Sequence, residues 1–141
     1  MGCDIYSFTE VKQNGKWVEV EGSIPFDYRS YTTFSFLASV RSRENSPECI
    51  KEPCGLPKDS EYLNEIGDFN KTKLENIEDD WDYHSHTHIL LEEFLNYNYD
   101  QIVFGGISLR EHLMEGFFDE IRKLEKLGEP NEVRVVMYFC G

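Results

Sequence analysis

The sequence predicts an α+β fold: a small antiparallel sheet, made of an N-terminal hairpin and a C-terminal strand, with helices packed on it. Three observations predict it. Asn14-Gly15 separates two strand-like runs, an amphipathic pattern fills residues 109–127, and the run EVRVVMYF lies near the end of the chain. With 141 residues, the chain has the length of one domain, and we assign residues 1–141 to it.

The first predicted element is a hairpin formed by residues 3–12 and 16–20. Both runs contain aromatic and β-branched residues, which favour strands. Asn-Gly between two such runs is the strongest short hairpin signal, because both residues tolerate positive φ angles. We therefore expect two antiparallel strands joined by a two-residue turn.

The middle of the chain carries weaker signals. Residues 22–30 are rich in turn-forming types, and residues at helical spacing then predict a short helix over 33–41. The long polar segment 42–70 contains three prolines, and we expect it to wrap the surface with one helical turn near 60–66. Residues 70–82 are acidic and are expected to be exposed.

The second half contains a strand, a short helix, the main helix and a last strand. HSHTHI alternates with period two, which predicts a strand, and LLEEFLNYN predicts the short helix. Ser108 and Glu111 form a capping box that begins the main helix over 109–127, and Gly128 and Pro130 end it. Its apolar stripe comprises Leu109, Leu113, Phe117, Ile121, Leu124 and Leu127.

The run EVRVVMYF is the most strand-like in the chain and is apolar on both faces. A strand of that kind is typical of the centre of a sheet. Pairing it beside the first strand places both ends of the chain in the sheet.

The charge of the chain excludes one class of partner. Asp and Glu total 27 against 14 Lys and Arg, which gives a formal net charge of -13. Such a surface repels DNA and RNA, whose binding depends on basic side chains that neutralise phosphates. A small anionic ligand in a local basic pocket stays compatible with this charge, because a few residues determine the potential of a pocket.

The N-terminal run MGCDIYSF has neither the basic start nor the apolar stretch of a signal peptide. No window has the roughly 20 apolar residues that span a bilayer. Tyr6 stands where a myristoylation signal has Ser or Thr. We therefore expect a cytoplasmic protein with no membrane partner, whose four cysteines are reduced thiols.

Two constellations have side chains suited to binding or catalysis. In the first, Asp82, His84, His86 and His88 alternate, so on a regular strand they share one face, as ligands of Zn²⁺ or Mn²⁺ would. A metal-dependent hydrolase or phosphodiesterase is the function that this reading implies. The alternative is that these histidines are structural or polar surface residues.

The second constellation is the aromatic and basic segment that contains Tyr28, Arg29 and Tyr31. A guanidinium can hold a phosphate with two parallel hydrogen bonds, while rings stack on a base. The alternative is a loop that enters a helix, with packed rings and a surface arginine. A cysteine nucleophile paired with a histidine is also conceivable, but no nucleophile motif surrounds Cys49 or Cys54.

Five segments occur in an order that resembles a known family. They are MGCDIY, the RSY before a short helix, the loop Pro53–Pro57, DYHSHT and VRVVMYF. Together they are similar to a family of small phage and prophage proteins that typically begin MGCDIH. The likeness spans nearly the whole chain. Two departures are Tyr6, where the family usually has His, and Cys54, where Arg is common.

The resemblance implies an anti-CBASS sponge: a phage protein for immune evasion that sequesters a cyclic dinucleotide without cleaving it. It implies no catalytic residue, no cofactor and no metal site. Because such sponges often share a pocket between subunits, we expect a homo-oligomer in the host cytoplasm. The implied stacking rings are Tyr6, Tyr28, Tyr31, Trp81 and Tyr83; the implied phosphate contacts are Arg29, His84, Ser85 and Thr87; and Asp4 accepts a hydrogen bond from a base or orients Arg29.

A third hypothesis belongs to a different class. The acidic surface, with charges concentrated at 75–82, is also typical of a protein that binds a host protein by mimicking nucleic acid.

Overall fold

The computed structural model of the chain describes residues 2–65 and 83–141. In this part, strands β1 (Asp4–Gln13), β2 (Lys16–Glu19), β3 (Tyr83–Leu90) and β4 (Val133–Cys140) form one sheet, and the helices are α1 (Tyr31–Ala38), α2 (Glu61–Glu65), α3 (Leu91–Asn96) and α4 (Leu109–Glu125). The strand order is β2-β1-β4-β3, and all neighbours are antiparallel. The predicted α+β fold is confirmed.

The hairpin and the central position of the last strand follow the sequence signals. Asn14 and Gly15 have φ angles of 52° and 78°, so the turn has the left-handed backbone that Asn-Gly favours. β4 lies between β1 and β3, and it pairs with β1 from Asp4↔Cys140 to Val11↔Val133. Both ends of the described chain therefore meet in the middle of the sheet.

One face of the sheet, here called the helix face, carries the hydrophobic core. Phe34 of α1 packs edge-on against Phe139 of β4, with ring centroids 5.2 Å apart, and Phe117 of α4 stacks near Phe26 at 5.4 Å. The helix α4 buries most of its predicted apolar stripe. The buried members are Leu109, Leu113, Phe117, Ile121 and Leu124.

Two helix boundaries differ from the prediction. α1 begins at Tyr31, because the Ser30 side chain accepts a hydrogen bond from the Thr33 amide, and it ends before Ser39, whose φ is 57°. The predicted range 33–41 was therefore wrong at both ends. α4 ends at Glu125, so Leu127 lies outside the helix and is partly exposed.

The opposite face, here called the outer face, is partly covered by the segment that ends in α2. Leu63 and Ser60 are fully buried, and Tyr62 packs on Phe8 of β1 with ring centroids 4.8 Å apart. The predicted helical turn near 60–66 is present as α2. The acidic stretch predicted over 70–82 lies outside the described residues.

β3 contains a β-bulge that the period-two pattern did not predict. His84 pairs with Phe139 and Thr87 pairs with Met137, so Ser85 and His86 together lie opposite Tyr138. Ser85 has a φ of 57°, which is the left-handed conformation of the first residue in a bulge of the G1 type, a position usually held by glycine. The expected regular alternation of side chains along HSHTHI is therefore wrong.

None of the helices in residues 2–65 and 83–141 combines the length and the apolar content that a membrane crossing requires.

Candidate ligand-binding site

The first strand, the last strand and β3 bring several predicted residues to one end of the sheet. In the register of the sheet, Asp4 lies opposite Cys140, and Cys140 lies opposite Tyr83. Alternate residues of a strand share a face, so Asp4 and Tyr6 both project from the outer face. This end of the sheet is where we place the candidate site.

Arg29 is fixed against the start of β1. Its Nε and Nη2 atoms donate hydrogen bonds to Asp4 Oδ1 at 3.0 and 2.8 Å. An arginine is cationic at any physiological pH, and the hydrogen bond with Asp4 raises the pKa of Arg29 further. A side chain at Gly2 would collide with it, since a Cβ atom there would lie 2.2 Å from Arg29 Nη1. The expected pairing of Asp4 with Arg29 is present.

Four rings on the outer face form a cluster beside this ion pair, and we call it the ring cluster: Tyr6, Tyr83, His86 and Tyr138. Tyr138 lies between Tyr6 and His86, with centroids 5.3 and 5.5 Å away and interplanar angles of 17° and 15°. Tyr83 meets Tyr6 and Tyr138 at tilted angles, at 6.2 and 5.8 Å. The three nearly parallel rings come from three neighbouring strands.

Tyr6 is the accessible end of this stack. It is 43% exposed, whereas the other three rings are half-buried. β2 pairs only with Glu10–Gln13 of β1, so no described strand pairs with β1 beside Tyr6 on the side away from Tyr138. A flat aromatic ligand can therefore approach Tyr6, while burial raises the pKa of Tyr138 and keeps that phenol neutral.

The remaining predicted rings lie elsewhere. Tyr31 is the first residue of α1, and its hydroxyl accepts a hydrogen bond from the Cys3 amide at 3.1 Å. Tyr28 lies on the helix side of the molecule, hydrogen-bonded to Thr33 and near Glu120 of α4. Trp81 lies outside the described residues.

The predicted phosphate contacts from β3 are also dispersed. Thr87 is fully buried and its hydroxyl accepts a hydrogen bond from the Cys54 amide at 3.3 Å. His84 Nδ1 and Ser85 Oγ lie 3.0 Å apart, and the His84 ring stacks towards Phe139 of the helix face. Of the predicted residues, the structure thus brings together Asp4, Tyr6, Arg29 and Tyr83.

Two members of the ring cluster, His86 and Tyr138, were not among the predicted contacts of the cyclic dinucleotide, although His86 was a candidate metal ligand. Tyr138 lies opposite Tyr6 in the β1–β4 register. The sequence predicted that these two strands are neighbours, but it did not predict their register, which would have identified Tyr138. His86 reaches the stack through the bulge, for which the sequence has no comparable signal.

The bulge also separates His84 from the other two histidines of the metal hypothesis, His86 and His88. His84 pairs with Phe139 and His88 pairs with Val136, and these two β4 residues project from opposite faces. Within residues 2–65 and 83–141, no group of three His, Cys, Asp or Glu side chains is placed to hold a metal ion. Asp82, the fourth member of the hypothesis, lies outside that part of the chain.

Cys54 and His88 are close enough to raise the question of a nucleophile and its base. Cys54 Sγ lies 3.5 Å from His88 Nδ1, and the same nitrogen lies 2.9 Å from the carbonyl oxygen of Gly55. A carbonyl only accepts, so Nδ1 must carry the proton in that bond. A protonated nitrogen cannot take the proton of the thiol, and the arrangement therefore does not activate Cys54 through Nδ1.

Comparison with models of known protein families, with curated proteins and with solved structures finds no match for this chain.

Proposed function

We propose that this protein binds a cyclic dinucleotide at the ring cluster and Arg29 and holds it without cleaving it. In this proposal it acts as an anti-defence sponge, like the phage proteins whose motifs it resembles. One observation carries the proposal: Asp4, whose carboxylate pairs with the Arg29 guanidinium, projects from the same end and face of the sheet as Tyr6, the exposed edge of a tyrosine stack.

The chemistry of that arrangement suits a flat anion. A base stacked on Tyr6 gains contact with a ring that is already held parallel to Tyr138. Arg29 supplies a planar cation for a phosphate, and its two hydrogen bonds to Asp4 orient it towards the start of β1. Preorganised rings and a fixed charge give affinity without any reacting group.

The segments that carry the family resemblance contact one another, which also supports the proposal. Arg29 of RSY bonds Asp4 of MGCDIY, and Tyr138 of VRVVMYF stacks between two other strands. The Gly55 amide of the Pro53–Pro57 loop donates to the carbonyl oxygen of His86 at 2.8 Å. Segments far apart in the sequence therefore build one region.

Native mass spectrometry of the protein with a panel of cyclic dinucleotides and trinucleotides tests the proposal. We expect at least one cyclic dinucleotide to bind and to be recovered intact after the protein is denatured. Recovery of a linear product would mean an enzyme, and failure to bind any member of the panel would reject the proposal.

Variants then test the position of the ligand. Tyr6→Ala removes the accessible ring and should weaken binding by about 1–3 kcal/mol, the typical contribution of one stacked base. Tyr28→Ala removes a ring of similar exposure on the helix side and should have little effect. Arg29→Gln should weaken binding, whereas Arg122→Gln, the same charge change on α4, should not. Equal effects of Tyr6→Ala and Tyr28→Ala would place the ligand elsewhere.

A further inference from the structure

A second basic region lies in a cleft on the helix side, away from the ring cluster. The cleft has a volume of about 640 Å³ and lies between α1, the loop that follows α1, and the first turn of α4. The lining residues that matter for its chemistry are Ser35, Arg41, Ser42, Arg43, Ser46 and His112.

The charge of this cleft is opposite to that of the molecule. Two arginines and a histidine line it, and the described residues that line it include no carboxylate, although the net charge of the chain is -13. The other lining groups are mainly hydroxyls and an amide. A concave surface with local cations and hydroxyl donors attracts anions whatever the overall charge.

The loop that carries the two arginines is held in a defined shape by hydrogen bonds within it and to α1. Ser42 and Ser35 are joined by a hydrogen bond of 2.7 Å between their hydroxyls, which ties the loop to α1. The Arg43 amide donates to Ser46 Oγ at 2.8 Å, and the Ser46 amide donates to the Arg43 carbonyl at 3.0 Å. Arg41 lies over the Tyr31 ring, 5.2 Å from its centroid.

We propose that this cleft, through Arg41, Arg43 and His112, binds the phosphate group of a small molecule. Guanidinium groups match the geometry of phosphate oxygens, and the serine hydroxyls supply further donors. The cleft is much larger than a phosphate ion, so it has space for the rest of such a molecule. This site does not depend on the ring cluster, which lies on the other face of the sheet.

Nuclear magnetic resonance titration of the ¹⁵N-labelled protein tests the proposal. Inorganic phosphate and adenosine 5′-monophosphate are added separately, against sodium chloride at the same ionic strength. We expect saturable shifts of the amides of residues 41–46 and of His112 with at least one of the two phosphates. Tighter binding of the nucleotide would show that the cleft recognises more than the phosphate, and equal binding would show recognition of the phosphate alone.

Matched arginine variants separate a built site from general charge. Arg43→Gln should weaken phosphate binding about tenfold, the size of one lost hydrogen bond to a charged group, and Arg43→Lys should weaken it less. Arg122→Gln removes the same charge from the exposed surface of α4 and should leave binding unchanged. Shifts that do not saturate, or that are the same in Arg43→Gln as in the natural chain, would overturn the proposal.

Discussion

At the residue scale, the most unusual feature is an ion pair buried under the segment that covers the outer face. Arg134 Nε donates to Glu10 Oε1 at 2.8 Å, and the two side chains are 5% and 0% exposed. Ser60 Oγ donates to the other carboxylate oxygen at 2.6 Å, and the guanidinium lies over the Trp17 ring, 4.1 Å from its centroid. A buried carboxylate of this kind depends on its partners, because it has lost its water.

Arg134→Met should therefore lower the free energy of unfolding by about 3–5 kcal/mol, because Glu10 would remain buried without its cation. Urea denaturation followed by circular dichroism measures the change. Asp59 also binds Arg134, at 2.9 Å from Nη1, but its side chain is 67% exposed. Asp59→Asn should accordingly cost less than about 1 kcal/mol.

The double variant Glu10→Leu with Arg134→Met provides the control for this prediction. It removes both charges, so most of the lost stability should return. If the double variant were as unstable as Arg134→Met alone, the loss would come from packing on Trp17 rather than from the unpaired carboxylate.

At the scale of elements, the bulge in β3 determines which side chains reach the ring cluster. The two-residue bulge at Ser85 and His86 shifts the alternation, so that His86 stacks on Tyr138 while His84 lies towards the helix face. Without the bulge, each side chain after His84 would project from the face of the sheet opposite to the one it occupies in the structure. The position of His86 thus depends on one left-handed residue.

Substitutions at Ser85 test this dependence. Glycine adopts a φ of 57° without strain, so Ser85→Gly should change the free energy of unfolding by less than about 1 kcal/mol despite the lost contact with His84. Ser85→Val places a β-branched side chain in the same conformation and should cost about 1–2 kcal/mol. Denaturation midpoints and the ring resonances of Tyr138 report the two effects. Equal stability of the two variants would mean that Ser85 does not have this conformation.

Local signals predicted the elements whose cause is local. Asn14-Gly15 determines the hairpin turn, and the Ser108 cap determines where α4 begins. Both features could be predicted because each depends on a few adjacent residues. The start of α1 was missed because the helix periodicity was read from its apolar residues and not from the Ser30 cap. The bulge was missed because nothing in HSHTHI distinguishes a regular strand from an interrupted one.

The site was only partly predictable, because its residues contact partners that lie far away in the sequence. The pairing of Asp4 with Arg29 joins residues 25 positions apart, and opposite charge alone suggested it. The positions of Thr87 and Tyr31 depend on contacts with Cys54 and Cys3, and no pattern in the sequence indicates such contacts. Their side chains are engaged within the protein, which residue type could not reveal.

At the scale of the whole molecule, tyrosines on both faces of the sheet link folding to pH. Burial raises the pKa values of Tyr28, Tyr99 and Tyr138, and Tyr99 shows the largest effect. The Tyr99 hydroxyl also donates to the Phe94 carbonyl at 2.7 Å. These phenols keep their protons in the folded chain at a pH where the unfolded chain has begun to release them.

The stability that comes from these phenols is therefore fully present below about pH 10, the usual tyrosine pKa, and is lost as the pH rises above it. We expect the free energy of unfolding to fall between pH 9 and pH 11. Tyr99→Phe should lower the free energy of unfolding by about 1 kcal/mol at pH 8, because the hydrogen bond to Phe94 is lost. Between pH 9 and pH 11, however, the free energy of unfolding of this variant should fall less than that of the natural chain. Urea midpoints across this range measure both. A fall as steep in Tyr99→Phe as in the natural chain would assign the loss to other groups.

The central pair of strands has a consequence for how the chain is made. β1 contains Asp4–Gln13 and pairs along most of its length with β4, Val133–Cys140. During synthesis on the ribosome, β4 emerges more than a hundred residues after β1, so the middle of the sheet cannot close until translation has passed β4. Until then, the edge of β1 that pairs with β4 has no partner, and an unpaired strand edge in an incomplete chain is prone to aggregation.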